Sequence, residues 1–285
     1  MVDSPTSTAE RSIPPLLYGT AWKKTDTRSL VETAIRCGFR GIDTACQPKH
    51  YDERGVGEAV DACLRDDGVS SGRLARADLY LQTKFTPLSG HDPTRIPYDS
   101  AAPLPEQVRQ SFGTSLRNLQ TNYVDGLLLH SPLPSAAQTL QVWQAMETLV
   151  DAGVVRHLGI SNCYRLEQLR ALRDSARIKP SLVQNRFYAD TGYDREIRAF
   201  CRQQQIIYQS FWTLTANPHA LAHQSVADLA ARHRRTPAQI LFRYLTQVGV
   251  VPLTGTRSRA HMGEDLSIFE FELSGPERAA MDALF

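Results

Sequence analysis

The sequence predicts a single-domain α/β protein, a (β/α)₈ TIM barrel. Three observations predict it. Short apolar runs alternate with longer segments of helical period along nearly the whole chain, and eight such pairs can be counted. The polar residues that interrupt the apolar runs fall at their C-terminal ends, which share one rim in a barrel. The length, 285 residues, suits a fold that needs about 250 with short extensions.

The strand candidates are 15–19 (PLLYG), 39–43 (FRGID), 78–84 (DLYLQTK), 124–130 (VDGLLLH), 154–159 (VVRHLG), 181–186 (SLVQNR), 205–211 (QIIYQSF) and 248–253 (VGVVPL). Between them apolar residues recur near every 3.6 positions, as at Leu30, Ala34 and Ile35, or Val142, Met146, Leu149 and Val150. A parallel neighbour needs a crossover helix, so the series implies a parallel sheet. Periodicity alone leaves an open doubly wound sheet as the competitor. Ser225 and Thr236 stand where helix N-caps are expected, with Pro237 at a first helical position. The stretch 85–105, rich in Pro, Ser and Asp, reads as a long loop after the third strand, of a length that is usually functional or disordered. Residues 1–11 read as a disordered tail, 12–285 as the barrel, and 274–284 as a closing helix.

Thirty-two basic against thirty acidic residues leave a net charge of +2, which gives no reason to expect a nucleic-acid partner. No apolar run reaches the roughly 18 residues of a membrane span, and the N-terminus lacks a secretory pattern. The five cysteines form no C-x-x-C pair, so free thiols, a cytoplasmic location and no metal site are expected. Neither a complete G-x-G-x-x-G nor a G-x-S-x-G elbow occurs.

Asp43, Lys84 and His130 close three successive strands, Ser161 and Asn162 follow the fifth, and Gln184 lies late in the sixth. Asp43 and Lys84 would offset each other's desolvation as a buried pair. An ammonium beside a phenol lowers the phenol's pKa, and Tyr51 in the loop after the second strand is close enough to be that phenol. His130 could polarise a carbonyl oxygen.

Several stretches carry a resemblance to the aldo-keto reductase family: GFRGIDTA (38–45), DERGVGEAV (52–60), LYLQTKF (79–85), SLRNLQTNYVDGLLLHSP (115–132), GVVRHLGISN (153–162), VQN (183–185) and, more loosely, VVPLTG with HMGEDL (250–266). The resemblance runs from about Leu16 to Leu284 with the motifs in the family's order. It implies a catalytic tetrad of Asp43, Tyr51, Lys84 and His130, with Tyr51 the general acid tuned by Lys84. It implies that Ser161, Asn162 and Gln184 hold the nicotinamide carboxamide and that Phe211 stacks on the ring. Gly19 and Thr20 would line the cofactor site, and Thr254, Gly255, Thr256, Arg257, His261, Glu264 and Asp265 would hold its adenosine end. Trp22, Phe85, Tyr98 and Trp212 would face the substrate, a small carbonyl compound or alcohol. NADPH is the cofactor implied, with NADH the other candidate, and a monomer is the expected state.

The chain departs from that pattern in places. The family's spacing puts Pro48 where the tyrosine belongs, and about two extra residues move the nearest tyrosine to 51. Phe211 replaces the usual stacking tyrosine. Leu253-Thr254 stands where the family has Lys-Ser, so Arg257 or Arg259 would have to supply the charge for a 2′-phosphate. These departures keep two other readings open: a cofactor-binding sensor with negligible turnover, and a non-redox isomerase or cyclase.

Overall fold

The structure, a computed structural model, describes residues 13–66 and 74–285; the expected tail over 1–11 lies outside them. Eight strands appear: β1 (Leu17–Gly19), β2 (Gly41–Asp43), β3 (Tyr80–Phe85), β4 (Val124–Leu129), β5 (Val155–Ser161), β6 (Leu182–Arg186), β7 (Ile207–Phe211) and β8 (Val250–Thr254). Every neighbour is parallel and β8 returns to pair with β1, so the sheet closes. Closure rules out the open doubly wound alternative. The helices among the described residues are α1 (Thr27–Cys37), α2 (Glu53–Arg65), α3 (Leu104–Leu119), α4 (Ala136–Asp151), α5 (Leu166–Ser175), α6 (Arg195–Gln203), α7 (Pro218–Leu221), α8 (Gln224–His233), α9 (Pro237–Gln247), α10 (Arg259–Leu266) and α11 (Gly275–Asp282).

Each strand alternates its side chains between barrel interior and helix layer, which is the pleat's period of two. Ile42, Leu81, Phe85, Leu127 and Leu129 face outward into the main core beneath the helices. α1 covers this layer with Val31, Ala34 and Ile35, a buried stripe at helical spacing. The interior is filled in tiers. Leu17, Tyr80 and Leu253 form a small apolar plug at the base. Above it Gln82, Gln184 and Gln209 bond to one another and to Asp43. Gly126 makes this tier possible: a Cβ there would stand 2.6 Å from the Tyr80 hydroxyl, which donates to Gln82 Oε1 at 2.9 Å.

Local signals decide the helix starts. Thr236 caps α9 as expected, in a reciprocal box with Gln239 and with Pro237 following. The N-cap expected at Ser225 falls two residues earlier, at His223, whose Nδ1 accepts from the Ser225 N–H at 3.2 Å. An imidazole acceptor does the work the hydroxyl was expected to do. Among the described residues no helix is long and apolar enough to cross a membrane.

Candidate active site

Asp43 and Lys84 end adjacent strands on the interior face, both almost without solvent contact. The Lys84 Nζ donates to both Asp43 carboxylate oxygens at 2.7 Å and to the Thr44 carbonyl at 2.8 Å. Asp43 Oδ1 also accepts from Gln82 at 2.6 Å and Gln184 at 2.9 Å. Two buried charges are thus paired and ringed with donors, the condition under which burial is tolerable. Burial lowers the Lys84 pKa, and the Asp43 charge works against that shift.

Tyr51 reaches this pair because of how the loop after β2 is laid. Thr44 and Cys46 donate backbone N–H groups to Gln82 and Lys84 carbonyls, extending the β2 path along β3. A turn follows in which His50 and Tyr51 both donate to the Gln47 carbonyl, and this absorbs the additional residues around Pro48. The Tyr51 ring centre then lies 5.4 Å from the Lys84 amine and 5.9 Å, edge-on, from the His130 ring. Burial, and next the Asp43 charge, raise the Tyr51 pKa above that of a free phenol. This differs from the expected lowering by Lys84, whose protons are committed to Asp43 and Thr44. At rest Tyr51 is a protonated phenol, the form a proton donor needs.

His130 follows β4, and its Nδ1 is 2.7 Å from the Thr86 hydroxyl. With that hydroxyl donating, the ring proton sits on Nε2. Burial, and then the Lys84 charge, push the His130 pKa well below the ordinary imidazole value, so the ring is neutral at physiological pH. Asn162 donates to the His130 carbonyl at 2.8 Å and to Ser161 Oγ at 3.3 Å.

These groups line a cavity of about 820 Å³ that includes Tyr51, His130, Ser161 and Gln184 and continues past Phe211 to Thr254–Thr256 and α10. Three non-glycine residues on its rim hold left-handed backbone: Trp22 (φ 63°), Asn162 (φ 51°) and Trp212 (φ 54°). For a bulky side chain that conformation costs on the order of 1–3 kcal/mol, and such strain gathers at binding sites. Trp22 and Trp212 are among the few large apolar side chains left exposed, and Trp22 stacks on His50 at 3.8 Å between ring centres.

The family model for the aldo/keto reductase family matches residues 16–285. The chain belongs to the aldo/keto reductase family. Among curated relatives it is similar to the uncharacterized oxidoreductase YtbE of Bacillus subtilis, 29% identical over 89% of this chain and 82% of that protein. It is also similar to the methylglyoxal reductase DkgA of Yersinia pestis, 28% identical over 96% and 90%. Among solved structures, an aldo/keto reductase from Brucella melitensis aligns with a TM-score of 0.79 at 29% identity, covering 96% of this chain and 95% of that one. Membership supports carbonyl oxidoreduction as the general chemistry, and the family generally uses NAD(P)H.

In this aldo-keto reductase most of the expected cofactor residues border the one cavity: Gly19, Gly255, Thr256, His261, Glu264 and, with them, Phe211. Thr254 and Asp265 do so as a bonded pair, Thr254 Oγ1 donating to Asp265 at 2.7 Å and pinning α10 to β8. Burial raises the Asp265 carboxyl to about 6.

Four expectations are corrected. Phe85 is buried in the core, because the pleat that turns Lys84 inward turns Phe85 outward. Tyr98 packs on Phe85 and donates to the Thr86 carbonyl at 2.9 Å, so it anchors the long loop and does not border the cavity. Phe85→Ala is therefore expected to cost about 3–5 kcal/mol of stability, read by urea unfolding, with little specific change in KM. Thr20 is buried and donates to the Asp43 carbonyl at 2.9 Å, a strand-tying role. Arg257 leans outward, bound to Asp26 at 2.7 Å and to the Trp22 carbonyl at 2.9 Å.

Sequence reasoning also passed over residues. Gln82 donates to Asp43 and is itself held by Gln209, and Thr86 fixes His130. Lys23 is buried and its amine reaches the Gly255 carbonyl at 2.5 Å; burial, then nearby Arg257, lower its pKa to about 8. His50 also borders the cavity. Arg186 shares the inward phase of Gln184, a signal that was present in the strand's alternation.

Proposed function

We propose that this protein reduces an aldehyde or ketone to an alcohol with NADPH, or runs the reverse reaction. The observation that carries the reading is the convergence of Tyr51, His130 and Asp43, the last paired with buried Lys84, on one cavity that continues along Phe211 to the last βα loop. The residues present fit a dinucleotide: the cavity runs from the tetrad to α10 and carries a flat ring at Phe211 and polar groups at Ser161 and Asn162. Bound NADPH would supply a hydride to the carbonyl carbon.

The chain's own groups do the rest. Tyr51 hands its hydroxyl proton to the carbonyl oxygen as negative charge develops there. The neutral His130 points an Nε2–H at the same oxygen and fixes its direction. Lys84, tied to Asp43, stabilises the phenolate that Tyr51 leaves behind. Gln184 spends both amide protons on Asp43 and Gln209, so its carbonyl oxygen is what remains to accept from a carboxamide. Ser161 and Asn162 hold the other side of that group, and Phe211 offers its face to the nicotinamide.

NADPH is preferred over NADH because basic side chains stand at the last loop: Lys23 on the Gly255 carbonyl, with Arg259 at the start of α10. Fluorescence titration is expected to give tighter binding of NADPH than of NADH, and a panel of aldehydes and ketones to show steady NADPH consumption. Binding without turnover of any carbonyl would overturn the proposal.

A further inference from the structure

We propose that Arg186 is a recognition site for an acidic group on the substrate, so that the carbonyl compounds this cavity takes carry a carboxylate or comparable oxyanion. The proposal rests on the reductase reading of the cavity. Leu182, Gln184 and Arg186 share one face of β6 by the strand's alternation. Gln184 faces the barrel interior, where it bonds Asp43, so Arg186 stands on the same face about 7 Å nearer the mouth. Its register partner is Phe211, and it borders the same cavity as Tyr51 and His130.

Its surroundings leave its charge unanswered. The Nε is buried and has no hydrogen-bond partner. Of the carboxylates bordering the cavity, Asp43 is taken by Lys84 and Asp265 by Thr254, and neither these nor Glu264 pairs with Arg186. Arg76, by comparison, is paired with Asp125 at 3.0 Å. A guanidinium nitrogen withdrawn from water without an acceptor is costly, and an oxyanion bound to this half-buried side chain would lessen that cost.

The side chain is also held ready. Its guanidinium carbon lies 4.3 Å from the Trp212 ring centre and 5.0 Å from that of Tyr188. Trp212 occupies this place at the expense of a left-handed backbone. These ring contacts use none of the guanidinium's hydrogen-bond donors, and a guanidinium can meet a carboxylate with two parallel bonds. The cofactor's pyrophosphate offers the same oxyanion chemistry, and the experiment must separate the two.

The test compares 4-carboxybenzaldehyde with the neutral, nearly isosteric 4-carbamoylbenzaldehyde, in the wild type, Arg186→Met and Arg186→Lys. A charge-assisted pair of this kind gives a factor of about 10 to 100. The wild type is expected to show a KM lower by that factor for the acid. Arg186→Met should bring the ratio close to one, and Arg186→Lys should restore only part of it. Benzoate and benzamide, titrated by tryptophan fluorescence, read the same preference without turnover, so failure of the site is distinguishable from failure of the reductase reading. Equal treatment of acid and amide by the wild type overturns the proposal. So does an NADPH dissociation constant that rises in Arg186→Met by the factor lost for the acid, which would assign the guanidinium to the cofactor.

Discussion

Tyr51→Phe is expected to lower kcat for aldehyde reduction by about 10²–10⁴-fold while the dissociation constant for NADPH stays within twofold of wild type. The substitution removes one oxygen. It keeps the ring that stands edge-on to His130 and beside the Lys84 amine, so the loop after β2 has no reason to move. No neighbour can take over the proton. Lys84 has its donors on Asp43 and Thr44, and His130 is neutral because burial and the Lys84 charge disfavour its protonated form. Since burial and Asp43 also raise the phenol's pKa, the acid is fully protonated across the neutral range. The rate of reduction should then lack a step from loss of this proton below the ordinary phenol pKa. A Tyr51→Phe enzyme that turns over within threefold of wild type would show that the loop tyrosine only packs on the rim.

The barrel was legible because its evidence is local. Each strand announces itself by a short apolar run, and each crossover by a period of 3.6 between such runs. The interior residues of the site were legible where one charge interrupts an apolar strand, as at Asp43 and Lys84. What escaped was information carried by alternation and by partners far apart in sequence. Counting by two from Lys84 turns Phe85 away from the cavity, and counting by two from Gln184 brings Arg186 into it. The glutamine tier could not be read in this way, because Gln82 and Gln209 are 127 residues apart and meet only when the sheet closes. Arg257 illustrates a third limit: proximity to a cofactor segment did not reveal that Asp26, 231 positions earlier, would turn it outward.

Lys84→Met is expected to cost about 3–5 kcal/mol of stability, because it leaves the buried Asp43 carboxylate without its countercharge. Gln82 and Gln184 still donate to that carboxylate, yet two amides do not balance a full charge. The loss is to be read as a lower urea midpoint at unchanged m-value. Asp43→Asn combined with Lys84→Met removes both charges and keeps an oxygen for the two glutamines. That double variant should regain most of the lost stability, since the penalty belongs to the unpaired charge and not to the pair. Activity should not return with it, because the ammonium that steadies the Tyr51 phenolate is still missing. A double variant no more stable than Lys84→Met would mean that packing around the amine, not charge pairing, sets the cost. A double variant both stable and active would confine Lys84 and Asp43 to holding the barrel together, and proton transfer from Tyr51 would then have to proceed without an adjacent cation.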